Sequence, residues 1–398
     1  MAVVVAMMWW PAKAEAQLDE AVPQVAVIVP LSGDLAPLGE QLLEAARLSA
    51  RRHGIEVRAI DEGENAQQMR EAVARAADKE GVVAAIGPVM RRHAVTAAGE
   101  AQRRQLPLVV YSAASGVEVQ GPMVFRARLT PEAQSRQVAA FLAEDSAAQR
   151  IAIVAPRNSY GDSVVNALVD LLNRQGAKVT AMARYDSGTT DFGPTLEHLT
   201  GRRAYVGKGR SFPGVDGAGF VRLRRDGEVS FDTLVIADGH GVVARFVPFL
   251  PRHGIGTSAT EGGASVQLVG LPGWRGDGLQ RVWDHLRGAI FFDTFGGEVD
   301  GAEARRFVIE YRNQTDSEVT TAEAEIYDLV GLIATAVGSE DDDGRTRQEV
   351  VRNLGGGMSF EGVTGYWSFD QNGAPQRMLR GYEIVSGGRW APLERGER

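Results

Sequence analysis

The chain has 398 residues, of which 44% are hydrophobic and 24% are charged, and its formal net charge is −8. This composition is typical of a globular protein, and the length favours two domains over one. The acidic balance argues against a general nucleic-acid-binding protein, which needs a basic face to neutralise phosphates. The sequence contains no cysteine, which excludes disulfide scaffolds, thiolate zinc sites, cysteine nucleophiles and a lipid-anchor cysteine.

The first 16 residues differ from the rest. Residues 2–10 form an apolar run that is too short to span a bilayer. Ala14-Glu15-Ala16 then has the A-x-A pattern that signal peptidase cleaves, although Lys13 follows the apolar run instead of preceding it. We interpret residues 1–16 as an export signal, with a frayed apolar tail as the alternative. No later segment reaches 18 continuous apolar residues, so we expect a soluble periplasmic protein.

From residue 22 the sequence alternates between apolar runs and amphipathic segments. Residues 25–29 are a continuous apolar run, which is typical of a parallel strand covered on both faces. Further strands are predicted at 55–60, 82–86 and 108–110, and the pattern restarts at residue 124. Strands that alternate with helices at this spacing predict two doubly wound α/β units in succession.

Two later segments depart from this alternation. Residues 201–230 contain seven glycines and seven arginines or lysines, and we interpret them as an insertion, either a solvated loop or a working flap. After residue 295 the capping box Thr320-x-x-Glu323 opens a helix to residue 337, and a charged loop follows at 340–343. The C-terminal part is predicted to be β-structure, with Asn372-Gly373 in a type I′ hairpin turn.

Four segments, in their order and spacing, resemble the leucine/isoleucine/valine-type periplasmic binding proteins. They are Val27-Ile-Val-Pro-Leu-Ser-Gly33, Ile86-Gly-Pro88 with residues 106–115, Ser159-Tyr-Gly-Asp162, and residues 362–373. The resemblance implies two Rossmann-like lobes (the type 1 periplasmic binding fold) joined by three crossings near Arg128, Phe295 and Gly356. Lobe one would contain residues 22–128 and 296–355, and lobe two would contain 129–295 and 356–398.

The resemblance also implies a ligand site in the cleft between the lobes, at the carboxyl ends of the strands. Hydroxyl and N–H groups of lobe one would hold a carboxylate, Tyr160 would lie across the ligand, and Asp238 would meet an amine. Arg91 and Arg92 stand where small hydroxyl residues are usual, so they either hold a larger anion or are solvated. The predicted ligand contacts are Ser32, Leu38, Arg91, Arg92, Ser112, Ala114, Ser115, Tyr160, Asp238 and Trp274.

Several of these positions have more than one interpretation. Leu38 replaces an aromatic residue, and residues 271–274 provide no acid, so a plain α-amino acid is a poor fit to the cleft. Trp274 either stacks on a ligand or seals the lobe, and Tyr160 either faces the cleft or simply packs. Motifs for catalysis are missing: there is no H-E-x-x-H, no G-x-S-x-G and no P-loop spacing. We therefore predict no catalytic residue, no metal and no cofactor.

Two functions follow from the resemblance. The first is the solute-binding component of an ABC-type uptake system, with a small molecule in the cleft and a membrane permease as partner. The alternative is a regulator of cell-wall synthases, since residues 268–274 and 288–293 also resemble the offshoot that activates penicillin-binding proteins. An enzyme on this scaffold is a distant third hypothesis, and no nucleic-acid partner is expected.

Overall fold

The structure is a computed structural model that describes residues 22–144, 148–201, 229–257, 264–338 and 346–393. The predicted export signal at 1–16, nearly all of the predicted insertion at 201–230 and the charged loop at 340–343 lie outside the described residues. No helix of the described part is both long enough and apolar enough to cross a membrane.

The first sheet of the fold has five parallel strands in the order β2-β1-β3-β4-β5. Its elements are β1 (Gln24–Val29), α1 (Ala36–His53), β2 (Glu56–Asp61), α2 (Ala66–Ala77), β3 (Val82–Ile86), α3 (Ala94–Arg103), β4 (Leu108–Val110) and β5 (Val124–Arg126). Val25, Val27 and Val29 pack into one core, whereas Ala26 and Ile28 pack into another on the opposite face. Burial of both faces explains the continuous apolar run of β1.

The second α/β unit follows directly. Its elements are α4 (Pro131–Glu144), β6 (Arg150–Pro156), α5 (Ser159–Arg174), β7 (Lys178–Tyr185), α6 (Gly193–Leu199), β8 (Thr233–Ile236), α7 (His240–Phe246), β9 (Ile255–Gly256), β10 (Ala264–Ser265), β11 (Gln267–Gly270), α8 (Trp283–Leu286) and β12 (Ile290–Asp293). Helices α4 and α5 cover one face of this sheet, and α6 and α7 cover the other. The predicted doubly wound α/β class is confirmed.

The C-terminal part returns to both sheets. It consists of α9 (Ala302–Thr315), α10 (Thr321–Val337), α11 (Arg347–Gly355), β13 (Phe360–Gly362), β14 (Gly365–Trp367), β15 (Arg380–Ile384) and β16 (Trp390–Pro392). Strands β15 and β16 extend the second sheet antiparallel, which gives the order β16-β15-β12-β11-β8-β6-β7. Helix α10 packs with α1 on the first sheet.

The lobe boundaries stay a prediction, but the packing bears on the third crossing. Trp367 and Phe369 lie in the same core as Phe125 of the first sheet, although the sequence-based division placed residues 356–398 in lobe two. Strand β15, which follows Arg377, pairs with β12 of the second sheet. This packing favours a third crossing after Phe369 instead of near Gly356.

The turn at Asn372-Gly373 differs from the prediction. Only Gly373 has a positive φ, of 78°, whereas a type I′ turn requires a positive φ at both central residues. The Asp370 carboxylate accepts hydrogen bonds from the N–H groups of Asn372 and Ala374, both at 2.9 Å. Asn372 does not have a positive φ, so the predicted type I′ turn is wrong, and the Gly373 N–H closes the turn by donating to the Asp370 carbonyl oxygen at 2.9 Å.

The predicted capping box of α10 is confirmed. The Thr320 hydroxyl accepts from the N–H of Ala322 at 3.2 Å, and the Glu323 carboxylate accepts from the N–H of Thr320 at 2.8 Å. We expect Thr320→Ala to lower the free energy of unfolding by about 1 kcal/mol, because two helix N–H groups lose their partner. Urea unfolding measures this effect, with the exposed Thr190→Ala as the control. A change below about 0.3 kcal/mol would mean that water replaces the cap without cost.

Candidate functional site

The predicted ligand residues of lobe one follow the carboxyl ends of its strands, where doubly wound sheets bind ligands. Ser32, after β1, is exposed, and its hydroxyl is hydrogen-bonded to the Asp61 carboxylate at the end of β2. The Leu31 N–H also donates to Asp61, at 2.9 Å. Partial burial acts to raise the pKa of Asp61, but these hydrogen bonds outweigh it and lower that pKa. Leu38 is half-buried against the core of the first sheet.

A buried carboxylate, which was not predicted from the sequence, accepts hydrogen bonds from the backbone of the loop after β3. Glu62 is fully buried, and its Oε2 accepts from the N–H groups of Val89 at 2.9 Å and Met90 at 3.4 Å. Burial raises the pKa of Glu62, and it lowers the pKa of the buried His93, whose Nδ1 lies 3.6 Å from Oε1. Arg91 and Arg92 follow this anchored loop and are exposed.

The three predicted ligand contacts in the loop after β4 differ in their burial. Ser112 is 4% exposed, and its hydroxyl accepts from the Ala114 N–H at 3.2 Å, so this side chain shapes the turn. Ala114 packs into the core of the first sheet. Ser115 is exposed and presents the hydroxyl of this loop. A role for these residues in ligand binding stays a prediction.

In the second α/β unit, Tyr160 and Asp238 lie at the carboxyl ends of β6 and β8, as predicted. The Asp238 carboxylate accepts from the Tyr185 hydroxyl and, at 2.7 Å, from the Gly239 N–H. Tyr185 was missed by the sequence analysis, although it ends a strand of the same sheet. Burial raises the pKa of the Tyr160 phenol, and the Asp238 carboxylate raises it further, whereas Arg128 acts to lower it. The charges of both Asp238 and Arg128 therefore act on Tyr160.

The glycine after Tyr160 explains the Tyr-Gly-Asp sequence at the start of α5. A Cβ at Gly161 would lie 2.1 Å from the carbonyl oxygen of Pro156, so no larger residue fits there. The Asn158 side chain caps the helix by accepting from the Gly161 N–H at 2.9 Å. This close approach fixes the position of Tyr160 above the end of β6.

The structure corrects the assignment of Trp274 to the ligand contacts. Its side chain is 1% exposed, and its ring stacks near Phe291, with 6.5 Å between ring centres and 16° between planes. A Cβ at Gly270 would lie 2.1 Å from the indole, so the glycine in β11 makes room for the ring. Trp274 therefore seals the core of the second sheet, and this burial leaves no face for a ligand.

One carboxylate connects all three segments in which the chain passes between the sheets. Glu325 of α10 is 3% exposed and accepts from Thr294 Oγ1 at 2.8 Å and from Arg377 Nη1 at 2.6 Å. Its Oε2 accepts from the Tyr111 hydroxyl at 2.7 Å and lies 3.5 Å from Arg128 Nε. Arg128, Thr294 and Arg377 belong to the first, second and third crossing respectively. We call these five side chains the crossing cluster.

A second buried acid on the same helix holds the β13–β14 hairpin. Asp328 is fully buried and accepts from the N–H groups of Val363 and Thr364, both at 2.8 Å, and from Trp367 Nε1 at 3.1 Å. Burial raises the pKa of Asp328, although its hydrogen bonds oppose that rise. This acid is a structural anchor beside the crossing cluster.

Among the described residues there is no group of three or more His, Cys, Asp or Glu side chains that could hold a metal.

A family model described as periplasmic binding protein matches residues 23–389, so the chain belongs to that family. Sequence comparison with curated proteins finds no match. Among solved structures, the chain is similar to a putative branched-chain amino acid ABC transporter protein from Rhodospirillum rubrum, with 18% identity, a TM-score of 0.77, and coverage of 94% of this chain and 100% of the other.

Two further solved structures widen the range of ligands among the similar proteins. A leucine binding protein from Thermotoga maritima has 20% identity, a TM-score of 0.66, and coverage of 94% of this chain and 98% of that one. A solute binding protein of an ABC transporter from R. palustris, in complex with benzoate, has 16% identity, a TM-score of 0.66, and coverage of 94% and 96%. At these identities the likeness establishes the fold. The alternative of a cell-wall synthase regulator is not favoured by these comparisons.

Proposed function

We propose that the protein is the periplasmic solute-binding component of an ABC-type uptake system and that a small molecule binds between its lobes. The observation that carries this proposal is that Tyr160 and Asp238 follow the carboxyl ends of the paired strands β6 and β8, while the charge of the crossing residue Arg128 acts on the pKa of the same phenol. This partly buried phenol therefore lies beside the edge of the sheet where a ligand site is expected. Ser115, Arg91 and Arg92, exposed after the strands of the first sheet, would complete the contacts.

Family membership supports the mechanism that follows from this site. A solute that contacts both lobes binds the closed arrangement better than the open one, so it shifts the population towards closure. A membrane permease would then recognise the closed protein. The chain would bind and deliver the solute without changing it chemically, so we propose no enzymatic activity.

We expect one class of solute to raise the melting temperature of the purified protein. A panel of amino acids, small peptides, and aromatic and aliphatic carboxylates would be tested by thermal shift. A ligand at 100 times its Kd stabilises by about 2.7 kcal/mol, which corresponds to a few degrees for a chain of this size. Tyr160→Ala and Asp238→Ala should lose the shift.

The matched control is Asp170→Asn, which changes an exposed carboxylate on the outer surface of α5. This variant should keep the full shift, because Asp170 is not near the cleft residues. A panel without any stabilising compound would contradict the solute-binding proposal. A shift that survives in both Tyr160→Ala and Asp238→Ala would place the ligand elsewhere on the protein.

A further inference from the structure

The arginine that follows β11 in the second unit reaches the first unit, which is the part built on the first sheet. Arg275 Nη1 donates to the carbonyl oxygen of Phe295 at 3.1 Å, and Arg275 Nη2 donates to the carbonyl oxygen of Val319 at 3.2 Å. Val319 immediately precedes the capping box of α10 and packs in one core with Leu48 of α1. One guanidinium of the second unit therefore bonds to backbone that belongs to the first.

The other contacts of Arg275 hold its side chain on the second unit. The guanidinium carbon lies 4.9 Å from the centre of the Phe295 ring and 5.4 Å from the centre of the Trp390 ring in β16. A Cβ at Gly297 would lie 3.2 Å from Nη2, so the backbone of the second crossing comes close to the same group. A cation between two rings and two carbonyl oxygens has one favoured orientation.

Two more hydrogen bonds join the same parts of the two units. Thr321 Oγ1 donates to Asp293 Oδ1 at 3.1 Å, and Thr294 Oγ1 donates to Glu325 at 2.8 Å. Asp293 ends β12 and is buried, whereas Thr321 and Glu325 lie one turn apart at the start of α10. The first turns of α10 thus rest on the ends of β11 and β12. We call this contact the α10 joint, formed by Arg275, Asp293 and Thr294 of the second unit with Val319, Thr321 and Glu325 of the first.

A change in the angle between the units at this joint must break the bond from Arg275 to Val319. The rings of Phe295 and Trp390 hold the arginine on one side, and the acceptor on the other side is main chain, which cannot follow by changing a rotamer. Hydrogen bonds from an ionised donor are also stronger than those between neutral groups. Arg275 is therefore the contact of the joint that most resists a change of angle.

We propose that Arg275 is a latch that holds the two lobes at the angle of this structure without the help of a solute. The inference goes beyond the proposed function, because it concerns the lobe angle of the free protein and does not depend on the chemistry of the solute. In a protein with two arrangements the minor one is commonly populated to about 0.1–10%. The latch would set this population from a place outside the cleft, so loss of the guanidinium should raise it.

The test is a measurement of the distance between the lobes by double electron–electron resonance, with no solute added. Because the sequence has no cysteine, Glu71→Cys on α2 and Asn173→Cys on α5 introduce the only two thiols for spin labels. Both side chains are exposed, and their helices cover the first and the second sheet respectively. We expect one narrow distance maximum with the native Arg275. Arg275→Met should raise the population at other distances by about tenfold, since bonds from a charged donor are lost.

Three further variants separate the latch from a general loss of structure. Arg275→Lys keeps the charge but not the planar fork, so it should raise the alternative population less than Arg275→Met does. Arg306→Met removes an exposed arginine of α9 and should leave the distances unchanged. Thr321→Val removes the bond to Asp293 from the other side of the joint and should change the distances in the same direction as Arg275→Met. Circular dichroism and the melting temperature check that each variant is folded.

Three results would overturn the inference. Unchanged distances in Arg275→Met, or in Thr321→Val where Arg275→Met does not fold, would show that the joint does not set the lobe angle. Two maxima of similar size with the native Arg275 would show that the lobes are not latched. An equal change in Arg306→Met would show that the effect is not specific to the joint. Since no solute is added, the latch and the solute-binding function are tested separately, and either one can fail alone.

Discussion

Glu325→Leu and Arg377→Met should each lower the free energy of unfolding by about 3–5 kcal/mol, whereas the double variant should cost clearly less than the sum of the two. The side chains are 3% and 1% exposed, and 2.6 Å separates Arg377 Nη1 from Glu325 Oε1. Loss of Glu325 leaves Arg377 buried without its counter-ion, and loss of Arg377 leaves Glu325 with only the more distant and partly exposed Arg128. Loss of both leaves an apolar pair, which is often close to neutral. Urea unfolding followed by tryptophan fluorescence measures all three variants.

The same pair predicts a dependence on pH. Burial by itself acts to raise the pKa of Glu325, but Arg377, Arg128 and the hydroxyl donors outweigh it, and the pKa is lowered from its usual value of 4.5. A lowered folded-state pKa means that the carboxylate stabilises the fold fully above pH 4.5 and loses this effect as pH falls through the folded-state pKa. The stability difference between the wild type and Glu325→Leu should therefore shrink in acid.

The surface pair Arg306–Glu310 on α9 is the matched control. Its atoms are 2.9 Å apart, but its side chains are 56% and 40% exposed. Arg306→Met and Glu310→Leu should each change stability by less than about 0.5 kcal/mol, because an exposed i,i+4 pair contributes little. Additive costs for the Glu325 and Arg377 variants would show that the two buried charges act independently, which contradicts the crossing cluster as a unit.

Trp274→Ala should lower the free energy of unfolding by about 3–5 kcal/mol, since it removes a large buried ring and leaves a cavity between Gly270 and Phe291. Trp274→Phe should cost less, because most of the apolar contact is kept. If Trp274 belongs to the core, solute affinity measured well below the melting temperature should be unchanged in Trp274→Phe. Denaturant unfolding and calorimetry together test this.

An exposed aromatic residue provides the comparison. Tyr366 in β14 is 64% exposed, so Tyr366→Ala should change stability by no more than about 0.5 kcal/mol. The opposite pattern for Trp274, with stability retained and solute affinity lost, would restore the indole to the ligand contacts and contradict its place in the core.

Much of the architecture could be predicted from local patterns. Strands such as β1 and β3 are buried on both faces, so their apolar runs are unbroken and easy to recognise. The start of α10 is set by hydrogen bonds within four residues, and the capping box was predictable for that reason. The turn at Asn372-Gly373 was not, because the Asp370 side chain competes for the backbone N–H groups that decide the turn type.

The site was harder to predict because its partners are distant in the sequence. The Tyr111–Glu325 bond joins residues 214 apart, and the Arg377–Glu325 bond joins residues 52 apart. One feature of the sequence did point to these distant contacts. Helix α10 is apolar nearly all round, yet it carries Glu323, Glu325 and Asp328, and acids in a fully buried helix must find internal partners. The positions of Tyr160 and Asp238 were predictable, because carboxyl ends of parallel strands share one edge.

The packing of α10 on the first sheet has a consequence for the order in which the protein is made. The face that carries Val25, Val27 and Val29 is completed by Ile326, Leu329 and Ile333, which are synthesised about 300 residues later. At usual translation rates this is an interval of roughly 15–60 s. During that time the N-terminal sheet has an unfinished apolar face, so a growing chain cannot complete its first lobe ahead of its second. The core of the first sheet thus stays incomplete until most of the polypeptide has been synthesised.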